Sequence, residues 1–324
     1  MSNLPSTSVV VVTHRRPDGL REMLGSLASA RVPPTLAEVL VIENGDPGCG
    51  SREVAAAATL PVPVHWTFIP KSSISVSRNA GVVAAEGEFI IFFDDDVRVG
   101  IDTPAAYVAA AAFGPQHFFG GPLEVRQDVA PPDWLNEFLP NSARGWSLGA
   151  ERQIVRKPVF LGANLAAFKS DILAAGGFPE YLGGGLPYRV GGEETFLQVR
   201  MLDKGLQGVF VPEASVQHHV PAERCTPAFA LDRYFNYEVT FRIAHHIENR
   251  IRPGRLPPRW VWRKFLTAYV RAVLKRIQTP DLKARFQSEL DLRIARAYFA
   301  AHAIMARYRL YDRYGKHASE NSQV

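Results

Sequence analysis

The segment Phe89-Ile90-Ile91-Phe92-Phe93-Asp94-Asp95-Asp96 decides the fold, because an uninterrupted apolar run ends there in three carboxylates. A run without polar alternation is typical of a strand that is buried on both faces. In an open α/β sheet, ligands bind at the carboxyl ends of such strands. Adjacent carboxylates repel one another, and a divalent cation with oxygen ligands would relieve that repulsion. A solvated acidic turn after the strand is the alternative interpretation.

Length and composition indicate a folded, water-soluble protein. The 324 residues can bury a large core, and 47% hydrophobic with 21% charged residues is ordinary for a globular domain, which argues against a disordered chain. The two cysteines, Cys49 and Cys225, have the spacing of neither a disulfide framework nor a zinc site. No apolar run approaches the roughly 20 residues that span a bilayer, and residues 1–8 lack the features of a signal peptide. We therefore expect a cytoplasmic protein.

The first hundred residues alternate between strand and helix patterns. Three apolar or β-branched runs before the acids predict strands, at Val9–Thr13, Val39–Ile42 and Pro63–Ile69. Apolar residues at helical spacing from Leu20 to Leu27, and the segment Ser75–Ala85, predict helices between them. This order predicts an α/β fold with a Rossmann-like, mostly parallel central sheet flanked by helices. Neither a Gly-x-Gly-x-x-Gly motif after the first strand nor a Walker-type loop occurs in the sequence, which disfavours dinucleotide and P-loop sites.

The alternation becomes irregular beyond the acids. The sequence predicts strands at Phe118–Val125, Val159–Phe168 and Gly208–Val211, a short helix at Lys169–Ala175, and a helix that begins with Glu193 and Glu194. Carboxylates in a first helical turn gain about 0.3 to 1 kcal/mol from the helix dipole, which is a sufficient structural reason for one of them. His218 and His219 fall in a segment predicted to be irregular. From Thr226 to about Arg313 the pattern is mostly helical, with a proline-rich break at Pro253–Pro258.

Seven short segments, taken together, resemble an inverting family 2 glycosyltransferase with the GT-A fold. In chain order they are Thr13–Arg16, Val41–Gly45, Ser77–Gly81, Asp94–Asp96, Gly162–Asn164, Gly192–Thr195 and Val216–His218. The resemblance implies a catalytic domain over residues 1–225, with a nucleotide-binding half at 8–100 and an acceptor half at 101–225. Residues 226–324 would form a mainly helical C-terminal extension.

The resemblance also implies a donor, a nucleoside-diphosphate-sugar, and a divalent metal, Mn²⁺ or Mg²⁺. Glu43 would accept the imide hydrogen bond of uracil or thymine, which favours UDP or dTDP. The implied nucleotide contacts are Thr13, Arg15, Glu43, Arg78, Asp94 and Asp95, with Arg78 near the diphosphate and Asp94 near the ribose. The implied metal ligands are Asp96, Asp94 and His218. A metal ion bridging the phosphates would stabilise the charge that develops on the leaving diphosphate.

Inversion requires a general base that takes the proton of the acceptor hydroxyl. By position in the resembling family this base is Glu194, with Glu193 as the alternative. Gly162, Ala163 and Asn164 would line the sugar and acceptor side. Trp134 could offer an aromatic face to a sugar ring, although a tryptophan that anchors the core is the other interpretation.

The stretch 259–277 combines helically spaced apolar residues with arginines and lysines. Such a helix could lie on the anionic inner surface of a membrane, or could pack on the catalytic domain with its basic face in water. The acceptor would be a saccharide, a lipid-linked saccharide or a small molecule. No nucleic-acid-binding module accompanies the basic residues, and we expect no nucleic-acid partner. A nucleotidyltransferase, and a non-catalytic protein that binds sugar nucleotides or membranes, remain as alternatives.

Overall fold

The computed structural model describes residues 4–188, 190–254 and 256–315, which fall into two units. The first unit contains the chain up to Asp128 together with Asn141–Gly185 and Glu193–Val220. The second contains Val129–Pro140, Leu186–Gly192 and the chain from Pro221 onward. Residues 316–324 of the predicted helical extension, and Arg255 in its predicted break, lie outside the described residues. The boundary predicted at residues 225 and 226 stays a prediction.

The first unit begins with four parallel strands in the order β3-β2-β1-β4. They are β1 (Thr7–Thr13), β2 (Leu36–Asn44), β3 (Val64–Ile69) and β4 (Phe89–Asp94). The connecting helices are α1 (Pro17–Ala28), α2 (Ser51–Ala57) and α3 (Ile74–Ala84). The strand and helix patterns of the sequence predicted each of these elements except α2, a seven-residue helix with three consecutive alanines and little apolar periodicity.

The chain then completes an eight-stranded sheet and adds a three-stranded one. Its elements are β5 (Val97–Val99), α4 (Thr103–Ala110), β6 (His117–Gly120), β7 (Leu123–Gln127), α5 (Asp133–Asn136), α6 (Asn141–Arg144), β8 (Gln153–Val155), β9 (Asn164–Phe168), α7 (Lys169–Ala174), α8 (Glu193–Asp203), β10 (Gln207–Phe210) and β11 (Val216–Val220). The large sheet continues from β4 as β9-β6-β10-β8, and the small sheet has the order β5-β11-β7. Strand β9 lies antiparallel between β4 and β6.

Both faces of the large sheet are covered, as the apolar runs predicted. On β4, Ile91 and Phe93 belong to one apolar cluster, together with the buried face of α1. Ile90 and Phe92 belong to a second cluster, which includes Leu197 of α8. Successive strand residues point to opposite faces, so an unbroken apolar run supplies both clusters at once. The predicted α/β fold, with a Rossmann-like sheet and a helical C-terminal region, is confirmed.

Three strand predictions need correction. Phe118–Val125 is not one strand, because the chain leaves the large sheet at Gly121-Pro122 and enters the small one as β7. Gly121 approaches the backbone of Ala214 so closely that a Cβ atom would overlap its carbonyl oxygen. Within Val159–Phe168 only the part from Asn164 onward is strand. His218 and His219 lie in β11 rather than in an irregular segment.

The second unit is mainly helical. Its long helices are α9 (Pro227–Glu248), α10 (Arg259–Gln278) and α11 (Leu282–Tyr308), followed by a π-helical turn at Tyr311–Gly315. Helices α10 and α11 pack through a small apolar cluster of Ala268, Ala272, Leu292 and Ala295. Between them the chain breaks at Thr279 and Pro280, and the Asp281 side chain caps α11 by accepting from the Lys283 and Ala284 N–H groups. In the part of the chain that the structure describes, no helix has the length and apolarity needed to cross a membrane.

Candidate functional site

Parallel pairing brings the ends of three strands to one edge of the large sheet. Thr13 of β1 is in register with Glu43 of β2, and Val12 is in register with Asp94 of β4. A cavity of about 240 Å³ opens at this edge. Its lining comprises Val12, Thr13, His14, Arg16, Asn44, Ile74, Asp94, Asp95, Asp96, Gly184 and Gly185. The acids that end β4 therefore line a cavity at the carboxyl edge of the large sheet.

Two of the three acids are held by Thr13 at the end of β1 and by Arg16, which immediately precedes α1. Asp95, only 5% exposed, accepts a hydrogen bond from the Thr13 hydroxyl at 2.8 Å. The Arg16 guanidinium donates to Asp95 at 3.2 Å and to Asp96 at 2.9 Å. Burial raises the pKa of Asp95 to about 6, the Arg16 charge lowers it, and the Asp96 charge raises it. Arg16 is thus the cation that holds two crowded carboxylates together.

Arg15, the arginine that the resemblance implicated, points elsewhere. Its backbone has a φ of 54°, in the left-handed region, and its side chain is 61% exposed beside Asp46. Its backbone N–H donates to Glu43 Oε1 at 3.2 Å. Because the chain turns at Arg15, the next residue rather than Arg15 itself reaches the acids. The adjacent pair of arginines in the sequence was the only signal for Arg16, and it did not say which one faces the site.

Glu43 has one carboxylate oxygen without a hydrogen-bond donor. The residue is fully buried, and Oε1 accepts the Arg15 N–H. None of the described residues donates to Oε2. A buried polar atom without a partner costs roughly 1–3 kcal/mol, so a ligand N–H that reached Oε2 would recover free energy.

Arg78 of α3 joins the acid cluster to the start of α8. Its guanidinium donates to Asp94 at 2.7 Å and to Glu193 at 2.7 Å, and the side chain is 2% exposed. Burial lowers the pKa of Arg78, but Asp94 and then Glu193 raise it further, and the net shift is upward. The guanidinium is therefore enclosed between two carboxylates of the protein, and its implied contact with a diphosphate stays a prediction.

Gly162 is the residue that makes room for this ion-paired arginine. A Cβ atom at position 162 would lie 2.8 Å from one terminal guanidinium nitrogen of Arg78 and 2.9 Å from the other. Any larger side chain would displace the guanidinium from one or both of its carboxylate partners. Gly162 thus acts through Arg78, which the sequence pattern alone did not indicate.

Glu194 differs from Glu193, although both lie in the first turn of α8. Glu193 is paired with Arg78, whereas no arginine or lysine among the described residues forms an ion pair with Glu194. Glu194 keeps some solvent exposure, yet protein surrounds its carboxylate closely enough that burial is the first cause of its shifted pKa. Burial and the Glu193 charge raise the pKa of Glu194 to about 7, against the lowering effect of Arg78. A carboxylate with this pKa can accept a proton near neutral pH.

Asp96, which lines the cavity, lies close to His218 of β11. His218 Nε2 lies 3.4 Å from Asp96 Oδ1, and His218 Nδ1 lies 2.7 Å from the Ser142 carbonyl oxygen. A carbonyl oxygen only accepts, so Nδ1 carries a proton, and in the neutral ring Nε2 has its lone pair on the Asp96 side. Ligands about 2.0–2.1 Å from an octahedral cation lie roughly 3 Å apart when adjacent, so these two atoms suit neighbouring positions around Mn²⁺ or Mg²⁺.

The three implied metal ligands do not form one group. Within residues 4–188, 190–254 and 256–315, no three His, Cys, Asp or Glu side chains are arranged to hold a metal ion. Asp94, the third implied ligand, is paired with Arg78 instead. Of the three implied ligands, only Asp96 and His218 therefore approach each other.

The residues implied for the sugar and acceptor side are largely used within the protein. Asn164 is fully buried and donates to the carbonyl oxygens of Pro122 at 3.0 Å and Ala214 at 2.7 Å. The Tyr107 hydroxyl donates to Asn164 Oδ1 at 2.7 Å. Ala163 is buried as well.

Trp134 belongs to the second unit and packs edge-to-face on Phe286, with ring centroids 5.5 Å apart. Asn164 and Trp134 thus both make packing contacts within the protein, and their implied contact with a sugar stays a prediction.

Comparison with known proteins gives a family match. Residues 8–175, just over half of the chain, match the model of the family described as Glycosyl transferase family 2. The chain is also 28% identical over 235 residues to the succinoglycan biosynthesis protein ExoM of Rhizobium meliloti (strain 1021). That alignment covers 69% of this chain and 70% of ExoM.

Two solved structures share the fold. The mannosyltransferase PcManGT from Pyrobaculum calidifontis, in complex with GDP-Man and Mn²⁺, aligns with a TM-score of 0.57 at 18% identity and covers 95% of this chain and 88% of its own. GalNAc-T7 with UDP, GalNAc and Mn²⁺ aligns with a TM-score of 0.57 at 15% identity, over 97% of this chain and 59% of its own.

Proposed function

Because the chain belongs to glycosyl transferase family 2, we propose that it moves a sugar from a nucleoside diphosphate to an acceptor hydroxyl with inversion at the anomeric carbon. One observation carries the proposal. The Arg78 guanidinium ties Asp94, at the end of β4, to Glu193, at the start of α8, with 2.7 Å contacts on both sides. Glu194, whose pKa lies near 7, is therefore held at a fixed place relative to the acid cluster.

Glu194 is the general base of this proposal. Its carboxylate takes the proton of the acceptor hydroxyl as that oxygen attacks the anomeric carbon, and the bond to the diphosphate breaks on the opposite face. The diphosphate leaves with the bonding electron pair. Glu193 is the weaker candidate, because its carboxylate already accepts a charged hydrogen bond from Arg78.

Glu43 recognises the nucleobase of the donor through a hydrogen bond. A buried carboxylate oxygen without a donor fits the imide N–H of uracil or thymine, which favours UDP or dTDP. Thr13 and Asp95 are joined by a hydrogen bond and line the cavity beside the nucleotide, and Asp94 faces the ribose.

Asp96 and His218 hold the divalent metal in this proposal, with Mn²⁺ or Mg²⁺ as the ion. When bound, the metal would neutralise charge on the leaving diphosphate. Arg16, which lines the same cavity, adds a second positive charge there. The two solved structures named above contain Mn²⁺, which supports the assignment.

The acceptor we propose is a saccharide of a polysaccharide precursor, either lipid-linked or free. The similarity to a succinoglycan biosynthesis protein supports this class. A lipid-linked acceptor would place the protein at the inner surface of a membrane, in peripheral contact.

A thermal-shift panel tests the donor assignment. Purified protein is heated with UDP, dTDP, GDP and ADP, each with and without Mn²⁺, because a ligand that binds only the folded state raises the midpoint. We expect the largest shift from UDP or dTDP with Mn²⁺, and loss of that shift in Glu43→Gln, whose amide can turn a donor toward the imide N–H. A larger shift from GDP or ADP would overturn the base assignment.

A further inference from the structure

Helix α10 has two apolar faces, and only one of them is packed. Val261, Ala268 and Ala272 are buried, with spacings of seven and four residues that place them on one side of the helix. A second set of apolar residues is exposed on the other side. It comprises Leu266, Tyr269, Val270, Val273, Leu274 and Ile277, which we call the outer face of α10.

The outer face is a continuous stripe. Successive residues of a helix turn by about 100°, so Leu266, Val270, Val273 and Ile277 stay on one side. Leu266 is 57% exposed and Ile277 is 78% exposed. Soluble proteins rarely leave a contiguous stripe of this kind in water without a partner for it.

Positive charge surrounds the stripe. Helix α10 contains six basic residues and no acidic residue between Arg259 and Gln278. The basic residues are Arg259, Arg263, Lys264, Arg271, Lys275 and Arg276. Trp260 and Trp262, both about half exposed, lie at its N-terminal end and pack edge-to-face on Tyr298 and Phe299 of α11. An exposed apolar stripe with flanking arginines and lysines is the feature of a helix that lies in the plane of an anionic membrane.

We propose that the outer face of α10 is the membrane-docking surface of this protein, with the apolar stripe in the acyl boundary and the basic side chains on anionic lipid headgroups. The inference rests on the peripheral membrane contact of the proposed function and names the residues that would make it. Because a lipid-linked saccharide is confined to the bilayer, docking would hold the protein at the membrane that contains such an acceptor.

A second copy of the chain fits the same face less well. Two outer faces packed against each other would bring together the basic side chains that flank each stripe, and neither α10 contains an acidic residue to pair with them. Like charges at such a contact oppose association, whereas an anionic bilayer supplies the opposite charge.

Vesicle sedimentation with the full-length protein tests the proposal. The probes are vesicles of phosphatidylcholine alone and of phosphatidylcholine with phosphatidylglycerol, each at low and high salt. We expect binding to the anionic vesicles that weakens as salt rises, because surface charges are screened. Leu266→Glu should lower the vesicle partition coefficient roughly tenfold or more, since it places a charge within the apolar stripe.

Leu282→Glu is the matched control, because Leu282 is a leucine of similar exposure, 60%, on α11 outside the outer face. It should bind vesicles as the unaltered protein does, and both variants should keep the unaltered thermal midpoint. Equal loss in both variants, or equal binding to neutral and anionic vesicles, would overturn the proposal. Sedimentation velocity tests whether a second copy of the chain occupies the outer face instead. A dimer that Leu266→Glu converts to monomer, together with no vesicle binding, would also overturn the proposal.

The result is separable from the proposed reaction. Donor binding in the thermal-shift panel with no vesicle binding would refute the docking surface alone. Vesicle binding that depends on Leu266, with no response to any nucleotide, would refute the proposed donor chemistry and leave the docking surface standing.

Discussion

Glu193 and Glu194 are neighbours in sequence with the same side chain, yet their surroundings give them different chemistry. Glu193 accepts a hydrogen bond from Arg78, while burial and the charge of Glu193 raise the pKa of Glu194 to about 7. The sequence predicted that a base lies in this pair. The resemblance favoured Glu194 over Glu193 by position alone. The physical difference between them was not visible in the sequence, because Arg78, the partner that distinguishes them, is 115 residues away from Glu193.

Glu194→Gln should lower the rate of sugar transfer by about 100-fold or more and leave donor binding unchanged. The amide keeps the shape of the side chain but cannot take the proton of the acceptor, and general acid–base catalysis is typically worth 10²–10⁴-fold. Transfer is measured with radiolabelled donor, and donor binding by thermal shift. Turnover of the variant within a few-fold of the unaltered protein would contradict the assignment.

The pH dependence of transfer should follow the ionisation of Glu194. The base acts in its deprotonated form, so kcat/KM should rise with pH through about 7 and then level off. In Glu193→Gln the neighbouring negative charge is gone, so the pKa of Glu194 falls and the rise should move to lower pH. A value of kcat/KM that does not change from pH 5.5 to 8, or a rise that moves to higher pH in Glu193→Gln, would contradict the assignment of Glu194 as the base.

The same ionisation should appear in stability. Because the pKa of Glu194 is raised on folding, its contribution to stability is present below its unfolded pKa and is lost as pH rises through about 7. Glu194→Gln removes this dependence. The thermal midpoint of the variant minus that of the unaltered protein should therefore increase from pH 5 to pH 8. A constant difference across that range would contradict the raised pKa.

At the scale of elements, Arg78 connects α3 to the ends of β4 and α8. Arg78→Met should lower the free energy of unfolding by about 3–5 kcal/mol, because two carboxylates would lose their buried counter-charge. Arg21→Met is the control, since the Arg21–Asp18 pair is exposed and such pairs are worth about 0–1 kcal/mol. Urea unfolding measures both. Adding Glu193→Gln to Arg78→Met should recover part of the loss.

Gly162→Ala should disturb the same ion pairs from the other side. A Cβ atom would lie 2.8 Å from the Arg78 guanidinium, and forced overpacking of this kind costs roughly 1–3 kcal/mol. Gly25→Ala, in the middle of α1, has no atom within 4 Å of the added methyl group and should instead stabilise by about 0.5–1 kcal/mol. Equal effects of the two substitutions in urea would show that Gly162 does not act through Arg78.

The elements that the sequence predicted are those with a strong local pattern. The valine-rich β1 and the aromatic β4 are buried on both faces, and α1 shows its four buried residues at helical spacing. The three-residue strand β5 and the short helices α2 and α4 carry too little periodicity to be recognised. The break at Gly121-Pro122 depends on the approach of Ala214, a contact over ninety residues that no local pattern records.

At the scale of the whole molecule, the family match sets aside the nucleotidyltransferase and the non-catalytic alternative, and the chain is a glycosyltransferase. The proposed metal should serve catalysis rather than folding. Its two ligands already have partners in the protein, with Asp96 on Arg16 and His218 on the Ser142 carbonyl oxygen.

EDTA should therefore remove transfer and leave the thermal midpoint of the protein without nucleotide unchanged. Added Mn²⁺ should restore transfer. Asp96→Ala should be nearly inactive before EDTA is added, so that chelation has little further effect on it. Asp46→Ala, which removes an exposed carboxylate beside Arg15, should respond to EDTA as the unaltered protein does. Full transfer in EDTA, or a large drop in the midpoint, would contradict the assignment of the metal.

The position of β9 in the sheet affects how the protein folds during its synthesis on the ribosome. Strand β9 pairs with β4 on one side and with β6 on the other, so that β4 and β6 are hydrogen-bonded to β9 and not to each other. Strand β9 begins about seventy residues after the end of β4, and β4 therefore lacks its partner on this side until β9 has been synthesised. Until Phe168 has emerged, the Phe89–Asp94 strand presents an apolar, unpaired edge, which is the kind of edge that pairs with other chains. The nascent chain is thus most prone to aggregate between the synthesis of β4 and that of β9, and a chaperone that shields this edge would act in that interval.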